Sequence, residues 1–118
     1  MLFIGGIHGD EPEGVRLAEE LLLWLKRNHQ YIVHDYLIVP CLNPDGYREK
    51  KRTNSRGVDL NRNFPSPDWS PKSEQPRYFP GESAGSEQEV QAMTSYPLVL
   101  RAGLMLLEHD GLWPVSYT

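Results

Sequence analysis

The chain has 118 residues, 39% of them hydrophobic and 24% charged, and a formal net charge of −4. This length supports one domain with a modest core and is too short for two ordinary ones. The longest apolar run, Leu21 to Leu25, is far shorter than the roughly 20 residues that a membrane-spanning helix needs, so we expect no membrane-spanning segment.

The first predicted element is a strand that ends near Ile7, followed by the loop His8-Gly-Asp-Glu11. Helical spacing of apolar residues after Pro12 predicts an amphipathic helix to about Arg27. Residues 36–42 predict a second strand, and the following Asn43-Pro-Asp-Gly46 is typical of a tight turn. The apolar positions of the helix are Val15, Ala18, Leu22 and Leu25.

Cys41 lies in the second predicted strand and is the only cysteine. It excludes an internal disulfide framework and is typical of a reducing compartment. In this apolar setting a small buried hydrophobe is favoured over a nucleophile. Met1 leads straight into a predicted strand without the basic segment of a secretory signal, so we expect a cytoplasmic protein.

Residues 47–85 show little periodicity and contain prolines at positions 65, 67, 71, 76 and 80, so we predict a long loop. A loop of this length in a compact domain is usually functional or disordered. Ser86-Glu-Gln-Glu89 then resembles a capping box that opens a helix, which Pro97 ends or kinks. Residues 103–107 predict a third buried strand. This order predicts an α/β fold with a mainly parallel or mixed sheet and flanking helices.

Half of the basic residues lie in residues 48–62, and the rest of the chain holds fourteen acidic and six basic residues. A basic island in an acidic chain favours a local anion site over a nucleic-acid surface. A solvated charged loop is the alternative. The basic members are Arg48, Lys50, Lys51, Arg52, Arg56 and Arg62.

His8 and Glu11 follow the first predicted strand, where α/β proteins commonly place their chemistry. Imidazole and carboxylate are two of the ligand types that hold a catalytic zinc. His109 is the natural third ligand because it follows another parallel strand and would emerge at the same sheet edge. His29 and His34 fit surface positions better. The alternative for the first pair is an ordinary surface loop whose glutamate favours the helix N-terminus.

Asn61 and Arg62 lie within the segment Gly57 to Pro65, which reads GVDLNRNFP. Arginine offers a planar fork of donors and asparagine adds an amide donor, so the pair could bind a carboxylate. Asp59 could hold this loop by accepting hydrogen bonds. A polar turn is the alternative interpretation.

The order HxxE, NPDG, a basic stretch and GVDLNRNFP resembles the zinc carboxypeptidase family, most closely its murein-peptide amidase and γ-glutamyl carboxypeptidase branch. The resemblance covers residues 2–111 and implies a carboxypeptidase-like (phosphorylase/hydrolase-like) fold. It implies a zinc cofactor held by His8, Glu11 and His109. The segments Phe79-Pro-Gly81 and Ser86-Glu87 resemble the region before the third ligand.

The same resemblance implies roles for three further residues. Asn61 and Arg62 match the pair that binds the terminal carboxylate of the substrate. An arginine of the family stabilises the oxyanion, for which Arg52 is the best match. Arg48 and Arg56 are the alternatives.

The resemblance also places the general-base glutamate of the family after Thr118. We therefore expect residues 1–118 to form the N-terminal part of a catalytic domain, with an uncovered surface that favours self-association. The expected substrate is a peptide with a free C-terminal carboxylate, such as a murein peptide. The alternatives are an N-acyl amino acid deacylase of the succinylglutamate desuccinylase or aspartoacylase type, and a catalytically incomplete metal-binding fragment.

Overall fold

The computed structural model describes residues 1–95 together with the backbone of residues 104–108 and 111–115. Its four strands form one sheet in the order β2-β1-β3-β4. The first strand pairs in parallel with the second and third, and the fourth is antiparallel to the third. The mixed sheet confirms the predicted α/β class. The strands are β1 (Leu2–Ile4), β2 (Leu37–Val39), β3 (Leu104–Glu108) and β4 (Gly111–Val115).

The parallel register brings the carboxyl ends of the first three strands to one edge of the sheet. Ile4 pairs with Val39 on one side and with Leu106 on the other. The loop that carries His8 therefore leaves the sheet beside the segment that follows β2. His109 comes directly after β3 in the sequence, but its predicted position as a zinc ligand lies outside the described residues.

Helix α1 spans Pro12–Arg27, as predicted, and begins with proline at its first position. Val15, Ala18 and Leu25 are buried, whereas Leu22 is only partly buried. In the part of the chain that the structure describes, no helix is long and apolar enough to span a bilayer.

Two predictions of local structure are wrong. Asn43-Pro-Asp-Gly46 is not an isolated turn, because the backbone continues as helix α2 (Pro44–Glu49) with the Asn43 side chain accepting from the Gly46 amide at 2.9 Å. No capping box forms at the third helix, α3 (Gln88–Thr94), whose N-cap residue is Glu87 and makes no side-chain capping bond. The Ser86 hydroxyl instead donates to the Glu87 carboxylate at 2.6 Å.

The long segment of residues 47–85 has no strand or α-helix beyond the end of α2 and contains two short 3-10 turns, Leu60–Arg62 and Pro76–Tyr78. It nevertheless contributes to the core. Leu60 and Phe64 pack with side chains of β1, the residue after β2's loop and α3, which anchors the polar loop to the sheet. The buried hydrophobic cluster consists of Leu2, Ile4, Ile7, Leu42, Leu60, Phe64, Val90 and Met93.

Candidate active site

His8 lies at the centre of the candidate site and is only 1% exposed. Its Nδ1 lies 3.4 Å from Oε2 of Glu11, and its Nε2 lies 3.0 Å from Oδ1 of Asp59. The Glu11 side chain remains 29% exposed, so this edge of the pair faces solvent. The sequence-predicted ligands His8 and Glu11 are thus brought together by one short loop.

The spacing of these two donors fits a shared zinc ion. With bond lengths of about 2.0–2.2 Å, two donors of a tetrahedral zinc lie about 3.3–3.6 Å apart, and Nδ1 of His8 and Oε2 of Glu11 are separated by 3.4 Å. A histidine ligand usually donates its second ring N–H to a carboxylate, which is the position that Asp59 occupies. Within the described residues, no cluster of three or more His, Cys, Asp or Glu side chains has metal-binding geometry.

Asp59 is completely buried and connects three of the predicted site residues. One carboxylate oxygen contacts His8 Nε2 and accepts from the Asn61 amide at 3.0 Å. The other accepts from Arg52 Nε at 2.8 Å. Burial alone would raise the pKa of Asp59, but hydrogen bonding and charge from His8 and Arg52 outweigh it and hold the pKa below its ordinary value. The carboxylate is therefore ionised and able to orient its neighbours.

Of the three candidate oxyanion arginines, only Arg52 is drawn into this site. Its side chain is 14% exposed, and Nη1 lies 3.6 Å from Oε1 of Glu11. Arg48 and Arg56 are 73% and 56% exposed and pair with other carboxylates. The partners of these two arginines are Asp45 and Glu87.

The basic segment therefore divides into an outer and an inner part. Lys51 pairs with Glu49 at 2.8 Å while remaining 65% exposed, in keeping with the interpretation as a solvated loop. Arg52 alone, among the basic residues whose contacts are described above, lies beside the candidate metal ligands. The anion-site hypothesis is thus supported at one residue of the cluster.

Asn61 and Arg62 lie in the 3-10 turn that follows Asp59. Asp59 caps this turn, since its side chain accepts from the Asn61 amide and its carbonyl accepts from the Arg62 amide at 2.9 Å. Leu60 is buried beneath the turn, while Asn61 is half-buried and Arg62 is exposed. The turn is consequently fixed to the core and to the His8 loop, with the predicted carboxylate-binding pair on its outer side.

Two glycines explain why the first two motifs occur together. A Cβ atom on Gly9 would overlap the carbonyl carbon and oxygen of Gly46, so the two loops touch backbone to backbone. Asn43 adds a polar tie, because its Nδ2 lies 3.3 Å from the carbonyl oxygens of Ile7 and Arg52. The NPDG motif thereby supports both the zinc-ligand loop and the backbone of the candidate oxyanion arginine.

Sequence reasoning did not find the function of Asn63. Its amide nitrogen donates to the carbonyls of Pro80 and Ser83 at 2.8 and 3.1 Å, and its oxygen accepts from the Glu87 amide at 3.1 Å. A fully buried asparagine in a motif called a polar turn was the available signal. Asn63 holds the turn of Asn61 against the segment before α3.

The model for the zinc carboxypeptidase family matches residues 1–108. The chain is 32% identical to murein peptide amidase A of Escherichia coli K12, over 94% of this chain and 49% of the relative. It is also 32% identical to human carboxypeptidase D, over 98% of this chain and 9% of the relative. The crystal structure of murein-tripeptide amidase MpaA from Escherichia coli O157 superposes with a TM-score of 0.65 at 31% identity, over 89% of this chain and 48% of that one. The chain thus spans half or less of the length of these relatives.

Proposed function

Because the chain belongs to the zinc carboxypeptidase family, we propose that it serves in zinc-dependent hydrolysis of a peptide bond beside a free C-terminal carboxylate. Its zinc ligands would be His8, Glu11 and His109. When bound, zinc polarises the scissile carbonyl and lowers the pKa of a water molecule. The observation that carries the proposal is the His8 ring, with one nitrogen 3.4 Å from Glu11 and the other 3.0 Å from Asp59.

The other residues of the site supply charge and orientation. Asp59 accepts the Nε2 proton of His8, which fixes the tautomer that leaves Nδ1 as the ligand atom. Arg52 places a guanidinium beside Glu11, where it would stabilise negative charge that develops on the carbonyl oxygen. Asn61 and Arg62 would bind the terminal carboxylate and so restrict cleavage to the end of a peptide.

We propose a murein peptide as the substrate, since such peptides carry several carboxylates and one relative is a murein peptide amidase. The N-acyl amino acid deacylase alternative predicts hydrolysis of N-succinyl-glutamate instead. The two are separated by offering both compounds to the same preparation. Cleavage of N-succinyl-glutamate but not of a murein tripeptide would contradict the peptidase assignment.

Zinc binding tests the first half of the proposal without relying on turnover. The full chain is titrated with zinc against a chromogenic chelator, and His8→Ala should lose at least about tenfold in affinity. The matched control is His34→Ala, because His34 is exposed and precedes β2 at the opposite edge of the sheet. Equal zinc affinity of the two variants would contradict the ligand assignment.

Hydrolysis tests the second half. A peptide with a free C-terminus should be cleaved in preference to its C-terminal amide, and Arg62→Ala should remove that preference by raising KM for the free acid. Arg27→Ala, at the exposed end of α1, is the control. Absence of turnover by the zinc-loaded chain would favour the third reading, a metal-binding fragment that does no chemistry.

A further inference from the structure

Tyr78 lies between two arginines at the edge of the candidate site. Its ring centroid is 5.1 Å from the guanidinium carbon of Arg52 and 5.3 Å from that of Arg77. A guanidinium at this distance is attracted to the ring face of an aromatic side chain. The ring therefore supplies a surface for Arg52 in addition to the carboxylates of Glu11 and Asp59.

The Tyr78 ring is held in place by contacts on both sides of it in the chain. The next residue, Phe79, accepts a backbone hydrogen bond from Asp59 at 2.8 Å. The preceding residue, Arg77, places Nη2 3.6 Å from Oδ2 of Asp10, in the same loop as His8 and Glu11. The short turn Pro76–Tyr78 is thus tied to two parts of the candidate site, although it lies far from both in sequence.

These contacts leave Arg52 restricted at three points. Its Nε bonds to Asp59, its Nη1 faces Glu11, and the plane of its guanidinium group lies near Tyr78. A guanidinium offers five N–H donors, more than these two carboxylate contacts use, so further donors remain for a substrate oxygen. An arginine that is already ordered loses less conformational entropy when it binds developing charge.

We propose that Tyr78 is a positioning residue for Arg52, acting through the face of its ring and not through its hydroxyl group. The proposal rests on the proposed function for the role of Arg52 in the reaction. It predicts that the ring must be kept, whereas the hydroxyl group is dispensable. Tyr78→Leu removes the ring, and Tyr78→Phe keeps it.

The first measurement follows Arg52 directly in the full chain, without any need for turnover. The side-chain Nε–H signal of Arg52 in a ¹H–¹⁵N NMR spectrum should move, and exchange faster with water, in Tyr78→Leu. It should stay close to its original position in Tyr78→Phe. Tyr31→Leu is the matched control, since Tyr31 is 73% exposed and precedes β2 at the other edge of the sheet.

The second measurement uses steady-state kinetics with the zinc-loaded protein. Tyr78→Leu should lower kcat about fivefold with little change in KM, and Tyr78→Phe should restore most of it. In an Arg52→Gln background the same Tyr78→Leu change should have no further effect, because the ring acts through that arginine.

An unchanged Arg52 signal in a folded Tyr78→Leu protein would overturn the proposal, as would an equal loss of kcat in the Arg52→Gln background. Absence of turnover in the unmodified protein would count against the proposed function alone. In that case the NMR comparison of the leucine and phenylalanine variants still decides whether Tyr78 positions Arg52.

Discussion

Nε2 of His8 lies 3.0 Å from Oδ1 of Asp59, although 50 residues separate them in the chain, and both side chains are almost completely buried. Asp59 also receives the Arg52 guanidinium and the Asn61 amide. A single carboxylate thereby links the candidate metal loop, the candidate oxyanion arginine and the candidate carboxylate-binding turn. Changes at Asp59 should consequently affect all of them.

Asp59→Asn keeps the size of the side chain and removes its charge. We expect zinc affinity to fall about 10- to 100-fold, because a carboxylate behind a histidine ligand fixes its ring and raises its basicity. The unfolding free energy should also fall, by about 3 kcal/mol, since Arg52 loses its buried partner. Chelator competition and urea denaturation measure the two effects.

Asp68→Asn is the control for that substitution, because Asp68 is exposed and its carboxylate accepts from Ser66. It should leave both quantities unchanged. Wild-type zinc affinity in a folded Asp59→Asn protein would contradict a role for Asp59 behind the metal ligand.

The α1 helix and the strand regions were predictable because their signals are local. Regular apolar spacing and Pro12 together define the helix Pro12–Arg27. The predicted strand regions contain β1, β2 and most of β3, although each observed strand is shorter or shifted at its ends. The antiparallel strand β4 was not predicted, and Pro114 within it removes a ladder donor and weakens the strand signal.

The errors occur where long-range contacts decide between local alternatives. Asn43 followed by proline fits both a turn and a helix N-cap, and only the observed backbone shows that a helix follows. Ser86 fits a capping box, but its hydroxyl group contacts Glu87 and the Asn63 amide instead. The contact of Asp59 with His8 spans the fold, so no local pattern could give it.

Gly9→Ala tests the close contact between the two loops. A methyl group at Gly9 would overlap the Gly46 carbonyl, so either the His8 loop or helix α2 must move. We expect a loss of about 3 kcal/mol or more in unfolding free energy, together with weaker zinc binding. Gly57→Ala is a revealing control.

Gly57 has a φ of +76° but open space around its Cβ position, so alanine there should cost only about 1 kcal/mol of dihedral strain. Urea denaturation of both variants gives the comparison. A Gly9→Ala protein as stable as Gly57→Ala would show that the loops do not depend on this contact.

Cys41 should behave as a poorly reactive thiol. Burial, opposed by the backbone hydrogen bond of Asn43 and aided by the charge of Glu19, raises the pKa of the thiol above its ordinary value of 9.0. The folded state thus favours the neutral thiol, and this stabilisation is present below pH 9 and lost as pH rises through the higher pKa of the folded protein. The rate of alkylation by iodoacetamide, measured against pH with and without urea, should have its midpoint at higher pH in the folded protein. A lower midpoint in the folded protein would indicate an activated thiol.

Trp24 lies on the outer face of α1 and is 55% exposed, as are Leu17 and Leu23 at 45% and 51%. Such exposed apolar side chains favour association. We expect light scattering to show concentration-dependent association, which Trp24→Glu should reduce. Arg16→Glu, on the same helix, controls for the added negative charge. A monodisperse protein at all concentrations would contradict the prediction.

Asn63→Asp tests whether the turn of Asn61 depends on the segment before α3. The Asn63 amide nitrogen faces the carbonyls of Pro80 and Ser83, and a carboxylate there would face the same oxygens without a donor. We expect a loss of about 3 kcal/mol in unfolding free energy, because the site is fully buried. Asn28→Asp removes a similar donor from the Trp24 carbonyl at the solvent-exposed end of α1 and should cost about 1 kcal/mol. If both substitutions cost the same in urea denaturation, the buried amide does not hold the loop, and the Asn61-Arg62 turn must owe its position to Asp59 and Leu60.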